Sequence, residues 1–392
     1  MSRTSDIVII GGGVMGASIA YHLAKSGGAR VTLLERQALC NGTTGRSGAI
    51  VRQHYSNDFT IRMARDSLRV FQHFDELIGG DCGFATTGML VLGGANDREA
   101  LIAHVALQQT QGVQTRMITP QEIGEVAPGY NSAGVEAACY EADAGVADPM
   151  ATTSCFGRRA QELGVTLREG LAATRIVTSD GRIVGVDTRA GVLATDRVIV
   201  AANVWSTSLV EPLGITLPIL ATRHPMVALR RPADFGGRTG LHAVCLDMLR
   251  AIYLRPDFGG FTLVGSTEDV FEASDPDHYA QGLSEEEIAH FRTGGGDCLP
   301  PLKRAVPRGG WAGIYDDTPD FHPILDRLPG YDGLYCAVGF SGHGFKLSPL
   351  VGQWMAEFVL TGQKAADMQP LNFARFTTGQ EIRPAYNSGV LA

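Results

Sequence analysis

Three glycines in the pattern Gly11-x-Gly13-x-x-Gly16 follow the apolar run DIVII (6–10) and precede a stretch with helical periodicity. That residue set does one kind of chemistry well. Gly11 permits a tight turn, Gly13 lets main chain approach a pyrophosphate, and Gly16 allows close helix–strand packing. The helix beginning beside Val14 and Met15 would offer unpaired N–H groups and the positive end of its dipole to phosphates. Glu35 closes the next apolar run, where a carboxylate can hold ribose hydroxyls. Arg36 beside it weakens any discrimination against a 2′-phosphate. The motif predicts a bound dinucleotide without deciding which one.

These groups need a framework. DIVII and RVTLLE (30–35) read as buried parallel strands flanking a helix over 14–26 that stops at Gly27-Gly28. Asp148-Pro149 has the form of an N-cap with proline at the first helical position, opening a helix to about Leu163. RIVTSDGRIVGVDT reads as a hairpin turning at Asp180-Gly181. VIVAA (198–202) and GLYCAVG (333–339) read as strands. Ser341 to Pro349 reads as a loop before a helix over 350–361. Segments 86–145 and 220–319 differ, with alternating runs such as MVALRR and AIYLRP. They also contain the capping-box pairs Thr119/Glu122 and Ser284/Glu287. The fold class expected is α/β, α+β overall. A discontinuous nucleotide-binding domain (1–85, 146–219 and 320–392) interleaves with a sheet-rich substrate domain (86–145 and 220–319).

Composition narrows the function classes. Thirty-three basic and 41 acidic side chains give a net charge of −8, with no basic block to attract nucleic acid. No apolar run reaches the length of a membrane span, and Met1–Ser5 lead directly into a strand without a signal-like segment, so a cytoplasmic location is expected. Seven scattered cysteines without a CxxC suit unpaired thiols, and no metal site is expected. Glycine is abundant at 49 of 392 residues. Nine of these fall in 11–48 and six in 330–352, marking the stretches where main chain must lie close to a ligand. Asp316, Asp317 and Asp320 read as a solvated acidic turn, and Trp354, Met355 and Phe358 as core.

DIVIIGGGVMGASIAYHLAKSGGARVTLLER (6–36), GTTGRSGAIVRQHYS (42–56) and GLYCAVGFSGHGFKLSPLVGQWMAEFVLTG (333–362) together resemble the FAD-dependent D-amino acid oxidase superfamily. The sarcosine oxidase and dimethylglycine dehydrogenase group is the nearest branch. The resemblance implies FAD in a Rossmann-like domain, held by Gly11, Gly13, Val14, Met15, Gly16, Glu35 and Arg36. It adds Thr43, Thr44, Arg46 and Ser47 along the pyrophosphate and flavin, Ile176 at adenine, and Ala202 and Trp205 near the flavin. Gly342, His343, Gly344, Phe345 and Lys346 would border the flavin pyrimidine edge.

The same resemblance implies that Arg52 and Lys346 clamp a substrate carboxylate, beneath Tyr315; apart from the resemblance, His54 in RQHY is a candidate for acid–base chemistry facing the substrate. For each, a structural role is the alternative: an inter-domain ion pair, a loop lysine, a core tyrosine, a packed histidine. The family's covalent flavin attachment points fall on Gly313 and Arg46, neither of them a nucleophile, which implies non-covalent FAD. Its substrate-site histidine and oxygen-activating lysine fall on Thr267 and Leu263.

The activity implied is oxidation of the C–N bond of a small amino or imino acid to an imine. Electrons would pass to O₂ or another carrier, with a slight leaning to a carrier, and the assembly could be homo- or hetero-oligomeric. The alternatives are a 2-hydroxy acid dehydrogenase using His54 or His343 as base, an electron-relay flavoprotein subunit, and an NAD-dependent protein.

Overall fold

A computed structural model describes residues 5–235, 240–270 and 272–383; the N-terminal stretch Met1–Thr4 lies outside them. The fold is mixed α/β, built on two principal sheets.

The first has six strands in the order Ile324–Arg327, Leu334–Val338, Val198–Val200, Ile7–Ile10, Val31–Leu34 and Thr166–Arg168. All neighbours are parallel except the Ile324–Arg327 edge. Ile7–Ile10 is buried on both faces, which is why it reads as an unbroken apolar run rather than an alternating one. Helix Val14–Ser26 packs against helices Pro149–Glu162 and Gly344–Thr361. Against the last of these the approach is close: Ser18 Oγ donates to Ser348 O at 2.7 Å, and a Cβ at Gly352 would overlap Ser18.

Local signals in the sequence are realised where they are strong. Asp148 accepts from Met150 N and Ala151 N at 2.8 and 2.9 Å, with Pro149 opening the helix. Asp180 and Gly181 both take positive φ (50° and 73°), as a two-residue hairpin turn requires. Ser284 and Glu287 form a complete capping box on helix Glu285–Cys298. Thr119 and Glu122 exchange the same bonds, but only the four-residue helix Ile123–Val126 follows. The expected loop to Pro349 is mostly helix, which begins at Gly344 and carries Pro349 within it. A proline so near a helix start removes a single intrahelical bond, and close packing on helix Val14–Ser26 outweighs that loss.

The second sheet has eight strands in the order Val306–Asp317, Leu220–Arg230, Phe261–Ser266, Ile252–Asp257, Val244–Asp247, Met89–Gly93, Ala137–Glu141 and Thr115–Ile118. It is antiparallel except where Val244–Asp247 runs parallel to Met89–Gly93. That pairing joins two remote chain segments into one layer over a core that includes Leu90, Val227, Val264 and Phe291.

Asp316 and Asp317 end the first strand of this sheet and Asp320 follows it, and they are not a solvated turn: all three are buried. Asp316 accepts from Gly339 N at 2.6 Å, Asp317 from Thr222 Oγ1 at 2.5 Å, and Asp320 from Arg375 Nε at 2.8 Å. Each carboxylate has a dedicated donor, so burial is satisfied rather than avoided. The seven cysteines are free thiols. No helix among the described residues is long and apolar enough to cross a membrane.

Candidate active site

A cavity of about 830 Å³ runs from the glycine motif to the strands Leu220–Arg230 and Val306–Asp317. That is the upper end of the range for small-molecule sites and suits a dinucleotide. Of the residues predicted to hold one, Gly11, Gly13, Val14, Met15, Glu35, Arg36, Thr43, Thr44, Arg46, Ser47, Ala202, Trp205, Gly342, Gly344 and Phe345 line it, as does Tyr315.

The motif end fits a diphosphate and a ribose. Gly11 holds φ at 115°, and a Cβ there would lie 2.3 Å from Ala201 O. Gly16 works behind the wall, where a Cβ would come 1.9 Å from Gly11 O. Helix Val14–Ser26 has no acidic residue in its first turn and no side-chain cap at Gly13, so its N-terminus faces the cavity uncompensated. Thr44 Oγ1 accepts from Val14 N at 3.2 Å, tying the helix start to the following loop. Glu35 is fixed by Gly12 N at 2.7 Å on one oxygen and Gln37 N at 2.8 Å on the other. A carboxylate so oriented keeps lone pairs for two vicinal hydroxyls. Beside it, Arg36 lies 4.0 Å over the Trp205 ring, and both donate to Asp277 Oδ1, at 3.1 and 2.8 Å.

Other predicted residues lie elsewhere. Ile176 is buried in the core with Val8 and Val186; the strand Ala173–Ser179 borders the cavity only at its start, through Ala172 and Ala173. His54 is fully buried, with Nδ1 accepting from Gln108 Nε2 at 3.1 Å. Burial, together with the Arg52 charge, lowers its pKa to about 3, so it is a neutral packed histidine outside the cavity wall. Thr267 and Leu263 do not line the cavity either.

Arg52, Lys346 and His343 sit one layer behind the wall, around Tyr55. The Arg52 guanidinium is 4.4 Å and Lys346 Nζ 5.8 Å from the Tyr55 ring centroid, and His343 Nδ1 is 3.0 Å from Tyr55 Oη. Arg52 donates to His54 O. Burial and the Arg52 charge push Lys346 well below the usual lysine pKa. Lys346 has no carboxylate partner among the described residues. Glu141 lies near Arg52 but is buried and raised to about 7, with one oxygen taken by Gln53 N and Nε2.

The far end of the cavity holds residues not singled out from the sequence. His224 stacks on Tyr315 with ring centroids 3.8 Å apart, and Met226 and Tyr253 extend the same wall. Alternation along Thr222-x-His224-x-Met226 puts these three on one face of their strand, a pattern already present in the sequence. Gly313, directly opposite His224 in register, also lines the cavity, and a Cβ there would come within 3.4 Å of Arg46 Cβ. Asp316 borders the cavity too, raised to about 7 by burial.

Residues 6–358 match the family described as DAO: FAD dependent oxidoreductase. The 4-methylaminobutanoate oxidase (formaldehyde-forming) of Paenarthrobacter nicotinovorans is 28% identical over 96% of this chain and 46% of its own length. The human mitochondrial sarcosine dehydrogenase is 26% identical over 96% of this chain and 42% of its own. The chain thus spans less than half the length of these two relatives. The sarcosine oxidase subunit beta of Arthrobacter sp is 28% identical over 97% of this chain and 93% of its own. Among solved structures, the L-proline dehydrogenase from P. horikoshii superposes with a TM-score of 0.88 at 29% identity, covering 98% of this chain and 100% of that one. The glycine oxidase from Geobacillus kaustophilus, at 23% identity and a TM-score of 0.84 over 95% and 99% of the two chains, shows the shared fold alone. With a glycine cradle, an aimed carboxylate and a dinucleotide-sized cavity already in place, the extent of the match makes this chain a member of the DAO family of FAD-dependent oxidoreductases.

Proposed function

We propose that the chain oxidises the C–N bond of a small amino or imino acid, such as an N-methyl or cyclic amino acid, to an imine that water then hydrolyses. The observation that carries this reading is the convergence of Arg52 and Lys346, both buried, on Tyr55, with Lys346 next to Phe345 of the cavity wall in the first turn of helix Gly344–Thr361. Burial and the Arg52 charge disfavour the Lys346 ammonium, and an anion bound between the two groups would favour it again. An arginine fork and a lysine point charge suit a carboxylate. When bound, FAD supplies the two-electron acceptor. The protein's part is to fix the substrate carboxylate, exclude water with the Tyr315–His224–Tyr253 wall, and leave the amine neutral for oxidation. The names of relatives and structural neighbours, with sarcosine, proline and 4-methylaminobutanoate in them, support this class.

The 2-hydroxy acid alternative needed His54 or His343 as base. His54 is fully buried, with Nδ1 accepting from Gln108 and its pKa lowered to about 3, and His343 Nδ1 engages Tyr55 Oη, which does not support either as that base. Assembly with other chains is a second reading, supported by the relative named as a subunit beta.

The test is anaerobic bleaching of the FAD-loaded protein by sarcosine, L-proline, glycine, 4-methylaminobutanoate and 2-hydroxy acids. Bleaching by at least one amine, abolished or slowed more than 100-fold in Arg52→Ala and Lys346→Ala, is expected. Bleaching by hydroxy acids only would overturn the reading. No bleaching by any amine in the isolated chain would favour the relay-subunit alternative.

A further inference from the structure

One buried acid stands behind the cation pair. Glu141 ends the strand Ala137–Glu141 and is buried. Just after it, Gly145–Val146 pairs with Ile50–Val51, in the register Ile50↔Val146 and Val51↔Gly145. Arg52 and Gln53 follow that strand directly. One short stretch of chain, 141–146, therefore both fixes the strand that leads into Arg52 and sets an acid near it.

The two carboxylate oxygens have different surroundings. Oε1 accepts from Gln53 N at 2.8 Å and from Gln53 Nε2 at 3.1 Å. Oε2 is buried with no hydrogen-bond partner among the described residues, and so is Thr115 Oγ1. Thr115 lies directly opposite Glu141 in the ladder, so the two side chains share a face, with Cβ atoms about 5 Å apart. A buried carboxylate with one oxygen unsupported is poorly solvated, and burial raises Glu141 to about 7 against the pull of Arg52.

The other titratable groups around Glu141 and Arg52 behave differently. Burial lowers His54 to about 3 and His104 to about 4, and raises Tyr55 to about 12 and the Cys139 thiol as well. None of these four changes charge between about pH 6 and 8. Asp143 adds a nearby carboxylate, and an arginine such as Arg52 keeps its charge throughout. Lys346 faces the same Arg52 charge, which with burial disfavours its ammonium.

We propose that Glu141 is a positioning residue that tunes the carboxylate clamp: one oxygen holds Gln53 in the segment that carries Arg52, and the carboxylate charge subtracts from the pull of Arg52 on a substrate anion. This rests on the clamp of the amine reading and adds to it a residue that does not line the cavity. With Glu141 neutral, Arg52 acts on an incoming carboxylate in full. With Glu141 ionised, the site holds a charge of the same sign as the substrate carboxylate, and binding weakens. Affinity for a carboxylate is therefore high below about pH 7 and falls as Glu141 loses its proton.

The test is acetate binding to the FAD-loaded protein, followed by calorimetry and by perturbation of the flavin band. Acetate has no C–N bond to oxidise and is an anion from about pH 6 to about pH 8.5. Glu141→Gln keeps an oxygen for Gln53 and similar bulk but cannot ionise. It should bind acetate within about twofold of wild type near pH 6 and about tenfold more tightly near pH 8.5, the order of effect of one buried charge close to the anion. Lost packing would weaken binding, so tighter binding separates a charge effect from a merely structural one. Lys346 titrates in both proteins and leaves the difference between them to Glu141. FAD content and melting temperature establish folding. If Glu141→Gln does not fold, Glu141→Met decides, by a ratio of affinities at the two pH values about tenfold smaller than in wild type.

Equal affinity of Glu141→Gln and wild type near pH 8.5, or weaker binding by the variant at both pH values, would overturn the tuning role and leave the amine reading intact. Acetate that does not bind wild type, or that binds Arg52→Ala equally well, would overturn the clamp and the tuning role together.

Discussion

At the scale of single residues, the site divides into groups recognisable by pattern and groups that only geometry reveals. Gly11, Gly13 and Glu35 stand out in the sequence because a diphosphate and a ribose demand those types at that spacing, and all three line the cavity. His224 does not stand out, because a histidine in an alternating strand carries no signal until its neighbours Thr222 and Tyr315 are in place. His54 shows the converse. Its position near Arg52 suggested chemistry, but burial makes it structural. Its pKa near 3 lies below the ordinary 6.5. Its contribution to stability is therefore full above about pH 6.5 and drains away as pH falls towards 3. His54→Gln should flatten the acid side of a melting temperature–pH profile. Asp316 has the opposite sign: raised to about 7, its contribution is full below its ordinary value near 3.8 and is lost as pH rises through 7. The melting-temperature advantage of Asp316→Asn over wild type should grow between pH 4 and 8. Gly313 and Arg46 offer no nucleophile to the flavin, so acid precipitation should release all the FAD into the supernatant.

At the scale of elements, the local signals with a hydrogen-bond mechanism were the readable ones. Asp148, Ser284 and the Asp180-Gly181 turn each satisfy backbone groups within a few residues, so no tertiary context is needed to foresee them. Asp148→Ala should cost about 1 kcal/mol in chemical denaturation, the usual worth of an N-cap. The start of helix Gly344–Thr361 was misread because Pro349 and two nearby glycines look like loop, whereas packing on Ser18 decides the matter. Burial of Asp316, Asp317 and Asp320 was likewise invisible, since their donors Gly339, Thr222 and Arg375 are remote in sequence. The strand pair that carries His224 and Tyr315 is joined in register from Leu220↔Asp317 to Arg230↔Val306, with one shift between Val227 and Leu229. Thr222 and Asp317 are therefore held by a rigid ladder rather than a loop, which suits a site requiring fixed geometry.

At the scale of the whole molecule, strands remote in sequence share one sheet, and the joints between them carry no signal in the sequence. Nothing in Met89–Gly93 announces a parallel partner in Val244–Asp247. At the cavity mouth, Asp277 bridges Arg36 and Trp205 from a segment distant from both. These groups are largely exposed, so the bridge adds little to stability. Asp277→Ala should speed FAD release, measured by flavin fluorescence after dilution, while changing the melting temperature of the FAD-free protein little. The packing of helix Val14–Ser26 on helix Gly344–Thr361 also has a consequence for synthesis. The nucleotide motif is made before the helix that braces it and the strand Val306–Asp317 that borders its cavity, which follow about 290 residues or more later. A nascent chain halted before Val306 should retain no flavin, so cofactor loading must wait until translation of this long-range architecture is nearly done.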